Sequence, residues 1–179
     1  EETKRLGALL VHYSTDYVFD GSKSAAYVET DSTNPLGVYG RTKLAGEQAI
    51  QTVGCVHLIF RTSWIYGLRG NNFLLTILRL AKEREHLRVV ADQFGTPTWS
   101  HAVANATASV LAHWNHEENG VYHMTCSGAT SWHGFARAIL QEYQTIQVGR
   151  GWPALKTVPE KIQAITSEAI TATEVIAAA

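Results

Sequence analysis

Two short apolar runs, each followed by a helical pattern, constrain the fold of this chain more than any other feature. Residues 8–14 and 56–63 carry few polar side chains, as expected of parallel strands that are covered on both faces. Apolar residues at helical spacing follow them, over 38–52 and from 72 to about 85. Alternation of strands and helices predicts an α/β protein with a parallel sheet.

The ends of the predicted elements carry their own signals. Gly7 ends a helical segment over 1–6, Gly54 ends the helix over 38–52, and Asn71 or Asn72 caps the helix that follows. The predicted packing faces of the two long helices are Leu44, Ala45, Ala49 and Ile50, and Phe73, Leu74, Ile77, Leu78 and Ala81. The remaining predictions are strands at 87–90, 121–124 and 156–158, helices at 100–114, 130–143 and 160–167, and loops at 20–37 and 92–98.

Charge and composition favour a small-molecule partner. The chain has 179 residues, 45% of them hydrophobic, and a formal net charge of -1, so it offers no basic field to nucleic acid or to an anionic membrane. No apolar run approaches the ~18 residues that span a bilayer. The N-terminal residues do not resemble a signal peptide, and Cys55 and Cys126 are expected to be free thiols. We therefore expect a cytoplasmic protein.

A hydroxyl, a phenol and an ammonium group follow the first predicted strand. Thr15 stands where that strand ends, and Tyr39 and Lys43 are one turn apart on the next helix. A phenol has an unperturbed pKa of about 10, and a cation held beside it favours the phenolate. Tyr39 with Lys43 can therefore donate a proton near neutral pH, while Thr15 holds the oxygen that is protonated. These groups are suited to reducing a ketone or oxidising an alcohol.

A lone Tyr-x-x-x-Lys pattern is weak evidence, because it occurs by chance on many helices. The residues at two predicted strand ends strengthen the interpretation. Ligands of parallel sheets bind beyond the carboxyl ends of the strands. Ser14-Thr15 and Thr62-Ser63-Trp64 both stand at such ends. These two strand ends and the helix that carries Tyr39 and Lys43 are therefore predicted to meet at one crevice.

Five stretches of the chain resemble the extended short-chain dehydrogenase/reductases, and within them the dTDP-4-dehydrorhamnose reductases. They are residues 14–19, 38–47, 60–66, 70–73 and 92–98. The most specific of them are Arg61-Thr62-Ser63-Trp64 and Asp92-Gln93-x-Gly95-x-Pro97-Thr98. The resemblance implies a Rossmann-type sheet, here its C-terminal part, and a smaller substrate-binding part.

The resemblance assigns a role to each candidate residue. Tyr39 would protonate the C4 oxygen of the sugar, and Lys43 would favour ionisation of that phenol and hold the nicotinamide ribose. Thr15 would hydrogen-bond the same C4 oxygen, and Asp16 a neighbouring sugar hydroxyl. Trp64 would offer a flat wall to the sugar. Tyr39, Lys43 and Thr15 are thus the expected catalytic residues, and Tyr39 and Lys43 also contact the cofactor.

The implied reaction is reduction of the 4-keto group of a dTDP-activated 6-deoxyhexose by NADPH or NADH. Relatives can bind Mg²⁺ at a dimer contact through carboxylates, but His101 stands at one of those positions, so no metal-ligating residue is assigned. The run 113–118 has no third ligand at a suitable spacing to complete a metal site. Arg61 is expected to anchor the sheet edge, Asp92 and Gln93 to be solvated, and Trp99, Trp132 and Trp152 to pack or line the cleft.

The chain departs from the family at both ends. It contains no Gly-x-x-Gly-x-x-Gly or Gly-x-Gly-x-x-Gly turn for the pyrophosphate, so the first half of the cofactor domain is expected to be missing. Segment 170–179 replaces a Pro- and Arg-rich stretch. Three explanations are open: a piece of a longer protein, which is favoured, a truncated remnant without catalysis, or a binding subunit that keeps the fold. Among functions, a non-catalytic dehydrogenase-like subunit or remnant is the second alternative to the reductase, and a sugar-nucleotide epimerase or dehydratase is the third. An exposed apolar sheet edge predicts a homodimer or aggregation.

The family pattern also divides the chain. Residues 1–66, with 99–127 returning to them, are predicted to belong to the cofactor domain. Residues 67–98 and 128–179 are predicted to form the substrate-binding part.

Overall fold

The computed structural model describes residues 1–115 and 118–169. Part of the run 113–118 and the segment 170–179, both discussed above, therefore lie outside the described residues. The chain forms two compact units. The first comprises Glu1–Ser63 and Ala102–Thr125, and the second comprises Trp64–His101 and the chain from Cys126 onwards.

The helices and strands follow one another in the order of a mixed α/β chain. They are α1 (Glu2–Arg5), β1 (Leu10–Thr15), α2 (Val38–Val53), β2 (His57–Thr62), β3 (Ile65–Tyr66), α3 (Phe73–Glu83), β4 (Leu87–Val90), β5 (Phe94–Gly95), β6 (Thr98–Trp99), α4 (Ser100–His113), β7 (Gly120–His123), β8 (Thr130–Ser131), α5 (Trp132–Arg150) and β9 (Ile162–Ile165). Short 3-10 turns cover Asp16–Val18, Pro159–Lys161 and Ser167–Ala169. None of the described helices combines the length and the apolar character that a membrane span requires.

The first unit contains a parallel sheet in the order β1-β2-β7. Thr15 at the end of β1 lies opposite Thr62 at the end of β2. All six residues of β2 are buried, which confirms the prediction for this strand. The near-complete burial predicted for β1 is observed only in part: Ser14 and Thr15 are buried, but the strand lies at the edge of the described sheet and Tyr13 is 41% exposed.

Helix α2 has the predicted ends but not the predicted packing face. Gly54 ends it with a φ of 65°, a left-handed conformation that glycine adopts without strain. Ala45 and Ala49 are exposed, however, and the buried residues are Gly40 and Glu47. The helix packs here through close backbone approach and a buried charge, neither of which an apolar pattern reveals.

The second unit has an apolar core formed by helices α3 and α5 and strands β4 and β9. Asn72 caps α3 by accepting a hydrogen bond from the backbone N–H of Leu75. The predicted core residues Phe73, Ile77 and Ala81 are buried, together with Leu80. The cap and the apolar stripe of this helix were therefore predicted correctly.

The region 156–167 differs from the prediction of a strand followed by a helix. Residues 162–165 form strand β9, which pairs in parallel with β4, Leu87 lying opposite Ile162. The predicted strand at 156–158 is absent from the described elements; Thr157 is buried there and donates a hydrogen bond to the Arg84 carbonyl. Helix α5 also continues beyond the predicted end, to Arg150. The structure of this region is determined by the pairing of β9 with β4, a strand far away in sequence.

A Gly40→Ala substitution should destabilise the first unit. A Cβ atom at this position would lie 2.2 Å from the carbonyl oxygen of Tyr17, so helix α2 would have to move. We expect a loss of about 1–3 kcal/mol in the free energy of unfolding, measured by urea denaturation.

Gly46→Ala in the same helix is the matched control. A Cβ atom at Gly46 would make only an ordinary contact of 3.8 Å with Nε2 of His12. This variant should be as stable as the wild type or gain up to about 1 kcal/mol, because alanine favours a helix over glycine. Equal stability of the two variants would contradict the close approach at Gly40.

Candidate active site

Thr15 lies at the carboxyl end of β1, where the chain turns into the 3-10 segment Asp16–Val18. Its hydroxyl accepts a hydrogen bond from the backbone N–H of Tyr17 at 3.2 Å and donates one to Oδ1 of Asp16 at 3.1 Å. The residue is buried, with 5% of its surface exposed. These bonds fix the hydroxyl at the strand end.

Asp16 connects the ends of the two paired strands. Its Oδ2 accepts a hydrogen bond of 2.7 Å from the hydroxyl of Ser63, which directly follows β2. Burial raises the pKa of the Asp16 carboxyl, while the hydrogen bonds from Ser63 and Thr15 oppose this shift. Ser63 lies at the strand end where the sequence places it, but its bond to Asp16 follows from the strand register and was not predicted.

Lys43 reaches from helix α2 to strand β1. Its amine donates a hydrogen bond of 2.5 Å to the carbonyl oxygen of Tyr13, two residues before Thr15. The ammonium group is therefore held near the carboxyl end of this strand. The contact shows how the helix and the strand end come together.

Tyr39 lies one turn before Lys43 on the same helix and remains 58% exposed. Its ring meets the ring of Tyr17 edge-on, with 6.0 Å between the centroids. Tyr17 belongs to the turn that Thr15 begins, so the phenol lies beside that turn. Tyr17 belongs to the stretch 14–19 noted in the sequence, but its contact with Tyr39 depends on the approach of α2 to this turn and has no sequence signal.

A buried ion pair fixes helix α2 on the sheet. Arg61 of β2 donates three hydrogen bonds of 2.7–3.3 Å to the carboxylate of Glu47. The guanidinium carbon of Arg61 also lies 5.1 Å from the ring centroid of Phe19. Arg61 anchors its surroundings by hydrogen bonds as expected, but it does so from the central strand rather than from a sheet edge.

The loop between β1 and α2 is held by a carboxylate. Asp20 accepts hydrogen bonds from Ser22, from the hydroxyl of Tyr27 and from the amide of Asn34, and these donors lower its pKa. Glu29 accepts a bond from the backbone N–H of His123 in β7. The loop is thus tied to itself and to the sheet before the chain enters the helix that carries the phenol.

Trp64 belongs to the second unit, where its indole packs against protein. The ring stacks on Trp132 with 3.4 Å between the centroids and 9° between the planes. A Cβ atom at Gly95 would lie 2.4 Å from Cε2 of Trp64, so only glycine fits beside the ring. Trp64 also has a φ of 44°, unusual for a residue other than glycine. Its role as a wall for the sugar stays a prediction.

The other candidates have structural partners. Asp92 accepts hydrogen bonds from the backbone and hydroxyl of Ser167, which lower its pKa, so it is not simply solvated as expected. Gln93 donates to the same hydroxyl. Trp99 stacks on His101 with centroids 4.8 Å apart.

Within residues 1–115 and 118–169, no group of three or more His, Cys, Asp or Glu side chains is arranged to hold a metal ion.

The three parallel strands, covered by the helix that carries Tyr39 and Lys43, define an α/β protein of the Rossmann type, and the predicted fold class is confirmed. The family model described as "RmlD substrate binding domain" matches residues 1–174. The chain belongs to this family.

Individual relatives agree with that assignment. The chain is 55% identical over 150 residues to the dTDP-4-dehydrorhamnose reductase of Burkholderia thailandensis, covering 80% of this chain and 50% of the relative. It is 47% identical to the enzyme of that name from Escherichia coli K12, covering 86% of this chain and 52% of the relative. A crystal structure of dTDP-4-dehydrorhamnose reductase from Bacillus anthracis in complex with NADP matches with a TM-score of 0.78 and 38% identity, covering 93% and 54% of the two chains.

These matches confirm the resemblance to the reductases that the sequence motifs indicated. The chain spans about half the length of the curated relatives it matches. The activity, substrates and partners of a whole reductase are therefore proposals for this chain.

The ion pair predicts a large effect of Glu47→Gln. This change leaves the buried guanidinium of Arg61 without a compensating charge, which typically costs about 3–5 kcal/mol. Urea denaturation should show this loss. Glu2→Gln, which breaks the exposed pair with Arg5, is the control and should cost at most about 1 kcal/mol. A similar loss of unfolding free energy in both variants would show that the buried pair contributes no more to stability than the exposed pair.

Asp16→Asn predicts a change in the dependence of stability on pH. Because burial raises the pKa of Asp16 above its ordinary value of 3.8, the native state favours the protonated carboxyl. The stabilisation is complete below about pH 4 and is lost as the pH rises through the folded-state pKa. Asparagine does not ionise, so the variant should gain stability relative to the wild type between about pH 4 and pH 7. Parallel pH profiles of the free energy of unfolding would contradict this.

Proposed function

We propose that this chain carries the acid-catalytic part of an NAD(P)H-dependent reductase that converts dTDP-4-dehydro-L-rhamnose to dTDP-L-rhamnose. The relatives named above support the substrate and the reaction. The observation that carries the proposal is the hydrogen bond from Lys43 to the Tyr13 carbonyl, because it holds the helix with the phenol at the strand end with Thr15.

The residues divide the proton chemistry between them. When the nicotinamide is bound, it supplies the hydride that attacks C4 of the sugar. Tyr39 gives its phenolic proton to the C4 oxygen, so a carbonyl becomes an alcohol and the phenol becomes a phenolate. The Thr15 hydroxyl turns its single hydrogen from Oδ1 of Asp16 to the same oxygen and holds it toward Tyr39, while the ammonium group of Lys43 stabilises the phenolate.

The side chains at the strand end fit a nicotinamide ribose. An ammonium group has three hydrogens to donate, and one of those on Lys43 is used by the Tyr13 carbonyl. The others remain for ribose hydroxyls. Tyr39 is exposed enough to meet both the ribose and the sugar. The structure of the Bacillus anthracis relative with NADP favours the phosphorylated cofactor, with NADH as the alternative.

The remaining assignments extend this proposal. The first unit would contribute to the cofactor domain, and the second would bind the substrate, with Trp64 beside the sugar and Asp16 on a neighbouring hydroxyl. Free thiols at Cys55 and Cys126 support a reducing compartment such as the cytoplasm. The position of β1 at the edge of the sheet, among the residues that the structure describes, supports self-association as a homodimer.

Replacement of the proposed acid tests the function directly. Tyr39→Phe should lower the rate of NADPH oxidation with dTDP-4-dehydro-L-rhamnose by about 10²–10⁴-fold, because a positioned acid typically contributes that much. Cofactor binding, followed by the change in nicotinamide fluorescence, should persist. Circular dichroism should show an unchanged fold.

Tyr122→Phe removes a hydroxyl from the partly exposed strand β7 and serves as the control; it should keep the wild-type rate. Full activity of Tyr39→Phe would refute the assignment of the acid. A wild-type protein that gives no fluorescence change with NADPH or NADH would instead favour the alternative of a non-catalytic subunit or truncated remnant.

A further inference from the structure

One face of the sheet in the first unit is polar. In register, Ser14, Arg61 and His123 lie side by side on β1, β2 and β7, so their side chains share a face. His12 lies two residues before Ser14 and shares this face. Helix α2 covers it, because Glu47 binds Arg61 there.

Four atoms on this face are buried and have no hydrogen-bond partner among the described residues. They are Nε2 of His12, Oγ of Ser14, Nη1 of Arg61 and Nε2 of His123. Each unpaired polar atom in an interior costs about 1–3 kcal/mol. A face needed only to attach a helix would be more stable with apolar side chains. Attachment of helix α2 alone therefore does not explain why these side chains are polar.

His12 connects this face to the candidate active site. It directly precedes Tyr13, whose carbonyl accepts the hydrogen bond from Lys43. Its Nε2 lies 3.8 Å from the place that a Cβ atom would take at Gly46, between Lys43 and Glu47 along α2. The imidazole thus packs against the helix turn that separates the ammonium group from the buried carboxylate.

The charges around His12 favour its neutral form. Burial lowers the pKa of His12 most, the ammonium group of Lys43 lowers it further, and the carboxylate of Glu47 opposes both. Arg61, already paired with Glu47, and His123 on β7 are the other titratable groups on this face. A neutral imidazole at neutral pH follows from this balance.

We infer that His12 is a positioning residue for Lys43. The neutral imidazole of His12 supports helix α2 without placing a second positive charge beside the ammonium group. A protonated imidazole would repel Lys43 across one helix turn and weaken its hydrogen bond to the Tyr13 carbonyl. Only the catalytic consequence of this inference rests on the proposed function. The coupling between the two charges does not.

An NMR titration of the His12 imidazole tests the coupling. In Lys43→Met the pKa of His12 should rise, because a nearby positive charge is gone. Lys4→Met is the matched control, since its amine also binds a backbone carbonyl, that of Val53 at the other end of α2. The titration of His12 should be unchanged in this control. An unchanged titration in Lys43→Met would overturn the inference.

The pH profile of NADPH oxidation tests the consequence. Once His12 is protonated, the wild-type rate should fall by up to about tenfold for each further pH unit. His12→Gln and His12→Asn cannot gain this charge and should show a flatter decline in acid. Two variants are used because one substitution can disturb packing. An acid decline in both that matches the wild type would overturn the inference.

Failure of the proposed function is distinguishable from failure of this inference. A wild-type protein that oxidises no NADPH with the sugar nucleotide counts against the proposed reductase. The titration of His12 in Lys43→Met and Lys4→Met then decides the inference alone.

Discussion

The ion pair between Glu47 and Arg61 is the interaction on which the candidate site depends. Both charges are buried, so much of their attraction is offset by the cost of removing them from water. An apolar contact could attach helix α2 as firmly. A carboxylate that accepts three directed hydrogen bonds also fixes the rotation of the helix. Because Lys43 and Tyr39 lie one and two turns before Glu47, this rotation determines where the ammonium and the phenol lie.

The sequence predicts those elements whose signals are local. The apolar run of β2, the Gly54 end of α2 and the Asn72 cap of α3 each specify an element without reference to the rest of the chain. Strand β9 has no such local signal, because residues 162–165 form a strand by pairing with β4, which is far away along the chain. The packing face of α2 was also mispredicted, since a close backbone approach at Gly40 and a buried charge at Glu47 produce it.

The same distinction applies to the candidate site. Thr15, Tyr39 and Lys43 stand out in the sequence because a strand end and a helical spacing point to them. Ser63 also stands at a strand end, but its bond to Asp16 depends on the register of β1 against β2. His12 does not stand out, because its position depends on which face α2 covers. Residues that support a site from a neighbouring element have no sequence pattern of their own. They become visible only with the pairing of the strands.

Trp64 shows why a packing role within the second unit and a contact with the sugar need separate evidence. Its left-handed backbone costs of order 1–3 kcal/mol and persists only where the surroundings compensate for it. Stacking on Trp132 and the close approach of Gly95 provide that compensation within the second unit. Loss of the indole would therefore disturb the core of this unit even in the absence of a sugar. A lower activity after substitution of Trp64 identifies a sugar contact only if the second unit keeps its stability.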